Sequence, residues 1–555
     1  MTRAVAPLLC ALPLLAACGG ATEEADRSGV LELALSREPT SFDPVDGGSA
    51  ANPFLQRQVL ETLVEYDPAA PPEGVQALLA ESWTTSADGL RWTFTLRADA
   101  SFHDPHVPPL WPGSTRPVTA EDVLASWRRI ADPASGADGT WATEPIVGLE
   151  APDARTVVVT LARPDPYLLR RLTTAHFAVV PPELGAADGR SFRDTPVGSG
   201  PYALAGWIPR QQAVFRRVEG WRGQTSPAGT PVAAIPELRM SYVREAATRT
   251  RLFEDGTIAR LSPGQDAHAR LLPDGALAAE LSARGVTLHR ASIPDLTLLS
   301  FSMRDPAIGD VPGDTEGNAR RRLLRRALAA AFPYDGWEQV LRPGGSALRA
   351  RSFVPPSLPV ADALTDFPWK GGVEQAAMLL TEAGWPGGEG APPLRFEVGG
   401  SDAMTRAYAD LVVEAWRALG LDVELVVHAD FPTLQQKAVR GEVMAMVRAW
   451  VLDWPDVTQV FDLWDGAQAG QSTNLSYFVD PEFDTLLASL REEARPTARA
   501  GLTEELCAIL DREVPAAPID HRGGFLLVQP WLTGFRLHPF DPYPCKFWGI
   551  DEARR

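Results

Sequence analysis

The chain has 555 residues, of which 45% are hydrophobic and 22% charged, and its formal net charge is −19. That length admits two to four domains with large buried cores, and the composition is that of an ordinary globular protein. So acidic a chain has no dominant basic patch, which excludes nucleic acid and anionic membrane surfaces as partners.

The first elements read as export signals. Arg3 supplies a positive n-region, Val5 to Ala17 is almost wholly apolar, and Leu15-Ala16-Ala17-Cys18 ends the run in small residues and a cysteine. The stretch is short for a membrane span and fits a secretory signal over residues 1–17. Its end resembles a bacterial lipobox, in which Cys18 is diacylated and becomes the mature N-terminus. An ordinary cleaved signal or a short anchor is the alternative. Residues 18–28, small and polar, then form a tether by which lipid chains hold a soluble domain at the membrane. Cys10 leaves with the signal, so Cys507 and Cys545 remain, as a disulfide or as two separate buried thiols.

Leu31 to Leu35 alternates as a strand and leads into Glu38-Pro39-Thr40-Ser41-Phe42-Asp43-Pro44. A helix carrying Leu60, Leu63 and Val64 is expected next, then Glu65-Tyr66-Asp67-Pro68. Ser82 to Thr85 predicts a strand and Ser86-Ala87-Asp88-Gly89 a tight turn. Leu90, Trp92, Phe94 and Leu96 then alternate onto a buried face. Phe102-His103 closes this block, and Thr119 caps a helix with Val123, Leu124, Trp127 and Ile130 on one stripe. Val157 to Leu161 is a β-branched strand, and Val197-Gly198-Ser199-Gly200-Pro201-Tyr202 a tight turn into another.

In the C-terminal half, strands at Leu394–Val398, Leu421–Val427 and Val443–Val451 alternate with helices at Ala403–Leu419 and Phe431–Arg440. That order predicts a partly parallel α/β sheet. Helices follow at Pro481–Glu493 and Pro496–Glu513; Pro515 and Pro518 stop the second, and apolar Phe525 to Val528 brings the chain back. Arg320, Arg321, Arg322, Arg325 and Arg326 read as the wet side of an amphipathic helix.

The order of these blocks resembles the family 5 bacterial solute-binding proteins, which deliver peptides or nickel to ABC importers. In that family the same hairpin, with its Asp-Gly turn and Phe-His close, precedes a Thr-Ala-Glu-Asp-Val helix start, here Thr119 to Val123. The resemblance covers nearly the whole mature chain. It implies an α/β, two-lobed periplasmic-binding-protein-like fold of class II, with mixed sheets, a hinge and an extra domain. Lobe I would be discontinuous (29–62, 198–295 and 522–555), the extra domain 63–197 and lobe II 296–521. It further implies a peptide ligand held between the lobes, an ABC permease with its ATPase subunits as partner, a monomer, no cofactor and no catalysis. The protein would sit in the periplasm or on the outer face of the membrane, lipid-anchored. Nickel chelates, glycosides, a peptide-sensing receptor or a surface hydrolase are the alternatives, although no H-E-x-x-H, P-loop or G-x-S-x-G motif is present.

A sequence-tolerant peptide receptor must grip what all peptides share, their charged termini and backbone. Met446-Val447-Arg448-Ala449-Trp450-Val451-Leu452-Asp453-Trp454-Pro455-Asp456 fits that need. Its strand delivers Asp453 to the carboxyl end of a sheet, where ligands of α/β folds sit. By resemblance, Asp453 matches the acid that binds the peptide α-amine and Trp450 an aromatic lining residue, while the backbone of Ala449 to Val451 pairs with the ligand. Arg448 lies one residue nearer the aspartate than the arginine of some family members, so alternation can turn it to the other face. The bland alternative makes Asp453 a strand-terminating acid; Asp456 reads as a helix cap. Gly47, Gly48 and Ser49 occupy the family's other ligand-pairing edge, or are a simple loop. His103 and His106 have H-x-x-H spacing without a third ligand, and read as solvated loop histidines with no metal between them.

Overall fold

A computed structural model describes residues 28–555, apart from 47–48, 50, 69, 71–73, 136–139, 187–189, 223–231, 343–345, 472 and 542–543. The signal, Cys18, Gly47 and Gly48 therefore lie outside the described residues. Among these residues, no helix is long and apolar enough to cross a membrane.

Three larger sheets organise the two-lobed molecule. In the first, Val30–Leu35 runs parallel to Glu237–Tyr242, and Gln212–Arg217 and Tyr202–Ile208 continue it antiparallel. Leu31, Leu33 and Leu35 alternate inward and share one core with Phe215, Leu238, Trp531 and Trp548. N-terminal, central and C-terminal segments thus close a single core. The chain crosses out of it at Val197–Tyr202, where Gly200 donates to the Val59 carbonyl. A Cβ on Gly198 would sit 2.0 Å from that same oxygen, so only glycine fits this crossing.

The second sheet is the expected hairpin, extended. Ala80–Thr85, Arg91–Leu96, Thr156–Leu161 and Ile146–Asp153 pair antiparallel in that order. Gly89 takes φ 71° in the turn, and Phe94 and Leu96 are buried while Trp92 is half-buried. Helix Ala120–Ala131 covers the sheet with Val123, Leu124, Trp127 and Ile130. Asp122 accepts from both the amide and the hydroxyl of Thr119, closing the helix start.

The third sheet is the largest. Its order is Arg260–Leu261, Ala516–Val528, Asp295–Phe301, Ala445–Val451, Leu394–Gly399 and Val423–His428. The last two strands are parallel, and Asp402 and Asp430 cap the helices Ala403–Arg417 and Phe431–Val439 beside them. This is the predicted β-α-β-α-β order. The 13-residue strand Ala516–Val528 was legible only at its end. Its first half pairs with Asp295–Phe301, its second with Thr287–Ser292. Ala516 and Ile519 belong to the lobe II core, Leu526 and Val528 to the lobe I core. At the crossover Asp295, fully buried, accepts from the backbone N–H and the guanidinium of Arg522. Strand Ala516–Val528 is thus shared by the two cores, and the ion pair of Asp295 with the half-exposed Arg522 ties it to Asp295–Phe301 where it crosses between them.

Three expectations change. The first helix is Asn52–Val59, and Leu60, Leu63 and Val64 lie beyond it, because Leu60 is already extended and Val64–Tyr66 pairs with Val75–Ala77. The arginines of helix Thr315–Ala330 are not its wet side. Arg325 is completely buried and donates to the carbonyls of Ile308, Glu513 and Val514. Arg320 stacks on Trp385 and Arg326 on Trp369. Arg322, Arg325 and Arg326 serve the carbonyl-rich end of helix Pro496–Glu513, where cations are favoured, while Arg320 donates to the Ala383 carbonyl.

The disulfide alternative is also set aside: Cys507 and Cys545 are free, buried thiols, and they sit in the separate lobe II and lobe I cores. Burial pushes both thiols well above the usual range. A domain beginning at Gly19 should therefore show no reaction with a thiol reagent when native and two equivalents in denaturant, and reductant should leave its Tm unchanged.

Candidate ligand-binding cleft

Strand Ala445–Val451 pairs along its whole length with Asp295–Phe301. On its other edge the ladder to Leu394–Gly399 is made at Ala445 alone. From Val447 onward that edge has no strand beside it among the described residues, so its backbone groups are free to pair with an extended ligand. Met446, Arg448 and Trp450 share one face of the strand and Ala449 and Val451 the other, exposed one.

Past the strand the chain turns sharply. The side-chain oxygen of Gln459 accepts from the backbone N–H groups of Asp453 and Trp454. Asp456 accepts from the Thr458 amide at the start of helix Thr458–Phe461 and pairs with buried Arg499 at 2.5 Å. The helix cap is Val457, so Asp456, one residue before it, is not the cap its position suggested but closes the turn into the helix. Asp453 has no ion-pair partner among the described residues. Asp453 is exposed where the cleft opens, yet desolvation by the walls around it raises its pKa to about 6, against a hydrogen bond with Gln459 that lowers it.

Both residues face a cavity of about 690 Å³. One wall is Trp450, Asp453 and Trp454 with Gln459, Asp462, Asp465 and Arg491; the other comes from the second-sheet layer, with Glu144, Arg163, Asp165 and Arg171. The walls touch directly. Arg170 donates to the Pro455 carbonyl at 3.2 Å. The Arg171 guanidinium lies 4.5 Å from the Trp454 ring, and that of Arg499 lies 4.1 Å from the Tyr167 ring. A second cavity, at Glu61, Glu65 and Asp541, is only about 40 Å³, room for a water or two rather than a ligand.

Of the other candidates, Arg448 is buried on the Trp450 face, donates to the Thr473 carbonyl, and has two guanidinium nitrogens without partners. Burial alone lowers its pKa to about 10, so it stays charged at neutral pH. Ser49 holds its own loop, giving its hydroxyl to the Glu38 carbonyl and accepting from the Ala51 amide. His106 pairs with Asp104, and burial lowers the pKa of His103. Among the described residues no group of three ligating side chains could hold a metal. The wall at Glu144–Arg171 was missed by sequence, since nothing local in Pro166-Tyr167 points to a partner 285 residues away.

Residues 74–472 match the model of the bacterial extracellular solute-binding proteins, family 5. Heme-binding protein A of Haemophilus influenzae is 25% identical over 537 residues, spanning 93% of this chain and 91% of its own. The dipeptide-binding protein DppE of Bacillus subtilis is 23% identical over 95% of this chain and 93% of its own. Among solved structures, HbpA2 from Haemophilus parasuis superposes with a TM-score of 0.77 at 21% identity, over 94% of this chain and 100% of that one, a likeness of fold. A family match across most of the chain, on a two-lobed scaffold with a cleft at the strand end, establishes that the chain belongs to the family 5 bacterial extracellular solute-binding proteins.

Proposed function

We propose that the protein is the receptor of an ABC importer that captures short peptides between its lobes and hands them to a permease driven by separate ATPase subunits. The carrying observation is Asp453, a carboxylate in a roomy cleft with no ion-pair partner among the described residues. A peptide α-amine supplies that partner. The free edge of Val447–Val451 supplies backbone pairing, the unpartnered indole N–H of Trp450 a donor for a carbonyl, and Arg448 a charge of the sign that suits a terminal carboxylate. One relative is a dipeptide-binding protein by name. On the same reading the chain is a monomer, tethered through Cys18 outside the cytoplasmic membrane, with lobe I, extra domain and lobe II divided near residues 62, 197, 295 and 521.

Calorimetric titration of the domain from Gly19 onward with short peptides tests this. Binding that vanishes on N-acetylation supports it; no heat from any peptide overturns it. The pH profile carries a further expectation. An ammonium is held only by ionised Asp453, so affinity should be full above pH 7 and fall as pH drops through about 6. Titrations near pH 6 in buffers of different ionisation enthalpy should then show proton release on binding.

A further inference from the structure

The cleft is chemically one-sided. Among the described residues, Trp450 and Trp454 are its only apolar lining residues; the rest are carboxylates, arginines, glutamines and threonines. Its three arginines are all engaged by carboxylates of the same lining: Arg163 by Glu144, Arg171 by Asp165, and Arg491 by both Asp462 and Asp465. Asp456 is neutralised from behind by Arg499. Two negative charges are left over. One is Asp453. The other lies in the Asp462–Arg491–Asp465 trio, where a single guanidinium nitrogen, 2.6 and 2.7 Å from the two carboxylates, serves both.

Both charges line the same cavity, on the turns that follow strand Ala445–Val451. Gln459 holds the Asp453 amide, and Asp462 follows Gln459 by three residues through Thr458–Phe461 and the 3-10 turn Asp462–Trp464. One helical turn is a rise of about 5 Å, with residues three apart on one face. A lysine or arginine side chain extends several ångströms from its own α-amine, so one basic residue can present both of its cations to this one cavity. Such a side chain also gains from the tryptophan faces. An aliphatic side chain would displace water from carboxylates and gain no apolar contact beyond two indole rings. A large apolar ligand such as heme meets the same wall.

We infer that the cleft selects ligands with a second positive charge, namely peptides with a free α-amine and a basic first residue. The amine is taken by Asp453 and the basic side chain by Asp462 and Asp465 beside Arg491. This rests on the peptide reading above. Lysyl-alanine and leucyl-alanine, titrated calorimetrically in low salt, test it on the wild-type domain and on Asp462→Asn. The expected result is lysyl-alanine binding at least roughly tenfold tighter than leucyl-alanine. That ratio should shrink in high salt, where separated charges are screened, and fall toward one in Asp462→Asn. Leucyl-alanine binding as tightly as lysyl-alanine overturns the inference and leaves peptide capture standing. A preference that survives Asp462→Asn overturns the assigned subsite. If neither dipeptide binds, the inference fails, and the wider titration with short peptides decides whether peptide capture fails with it.

Discussion

The Asp453→Asn variant is expected to bind a free-amino peptide about 2–5 kcal/mol more weakly than the wild type, or roughly 30- to 5000-fold in Kd. Asparagine keeps the shape and can still accept a hydrogen bond, so the loss isolates the charge. The same substitution should leave the unliganded protein slightly more stable at neutral pH. Asp453 has a folded-state pKa of about 6, above the unfolded value of about 3.9. The fold therefore binds more protons than the unfolded chain between those values, and its stability falls as pH rises through that window. Solvent access to the side chain keeps this effect small. Lost affinity with an unchanged or slightly raised Tm separates an anchor from a structural aspartate. A variant that binds normally would make Asp453 a mere strand terminator, and one that melts early would make it structural.

Much of this site was legible because its signals are local. Asp402, Asp430 and Asp480 each precede a helix and each caps it, and β-branched runs between them mark the strands. The strand that delivers Asp453 lies within that pattern. The crossover strand Ala516–Val528 was not legible, because Pro515, Pro518, Gly523 and Gly524 read as breakers. The long strand accommodates them by a register shift opposite Thr297 and Leu298, next to Pro518, and by pairing the glycines with Ser292 and Ala291. The arginine cluster misled for a related reason. Charge along a helix usually means water, and only the tertiary structure shows that the end of another helix lies against it. The far wall of the cleft depends wholly on such long-range packing.

The Arg325→Met variant is expected to cost about 3–5 kcal/mol of lobe II stability, because three buried carbonyls lose their donor at about 1–3 kcal/mol each. Methionine fills much of the volume but leaves the carbonyls of Ile308, Glu513 and Val514 buried without their donor. Val514 sharpens the effect. It ends helix Pro496–Glu513 at φ 50°, a conformation unfavourable for a β-branched residue. Arg325 holds the carbonyls of both Glu513 and Val514 in that turn. The half-exposed neighbour Arg322, paired with Glu513 at 2.7 Å, should cost under about 1 kcal/mol when replaced in the same way. Denaturant midpoints measure both costs, and hydrogen exchange places the first, because protection should fall in residues 506–519 while strands 80–96 stay protected. The loss should also reach the cleft. Helix Pro496–Glu513 carries Arg499, which holds Asp456 three residues beyond Asp453. Peptide affinity should therefore weaken in Arg325→Met though no ligand touches Arg325. Unchanged midpoints would mean that water replaces the guanidinium at these carbonyls, and unchanged affinity that the Asp453 turn stands without the helix beneath it.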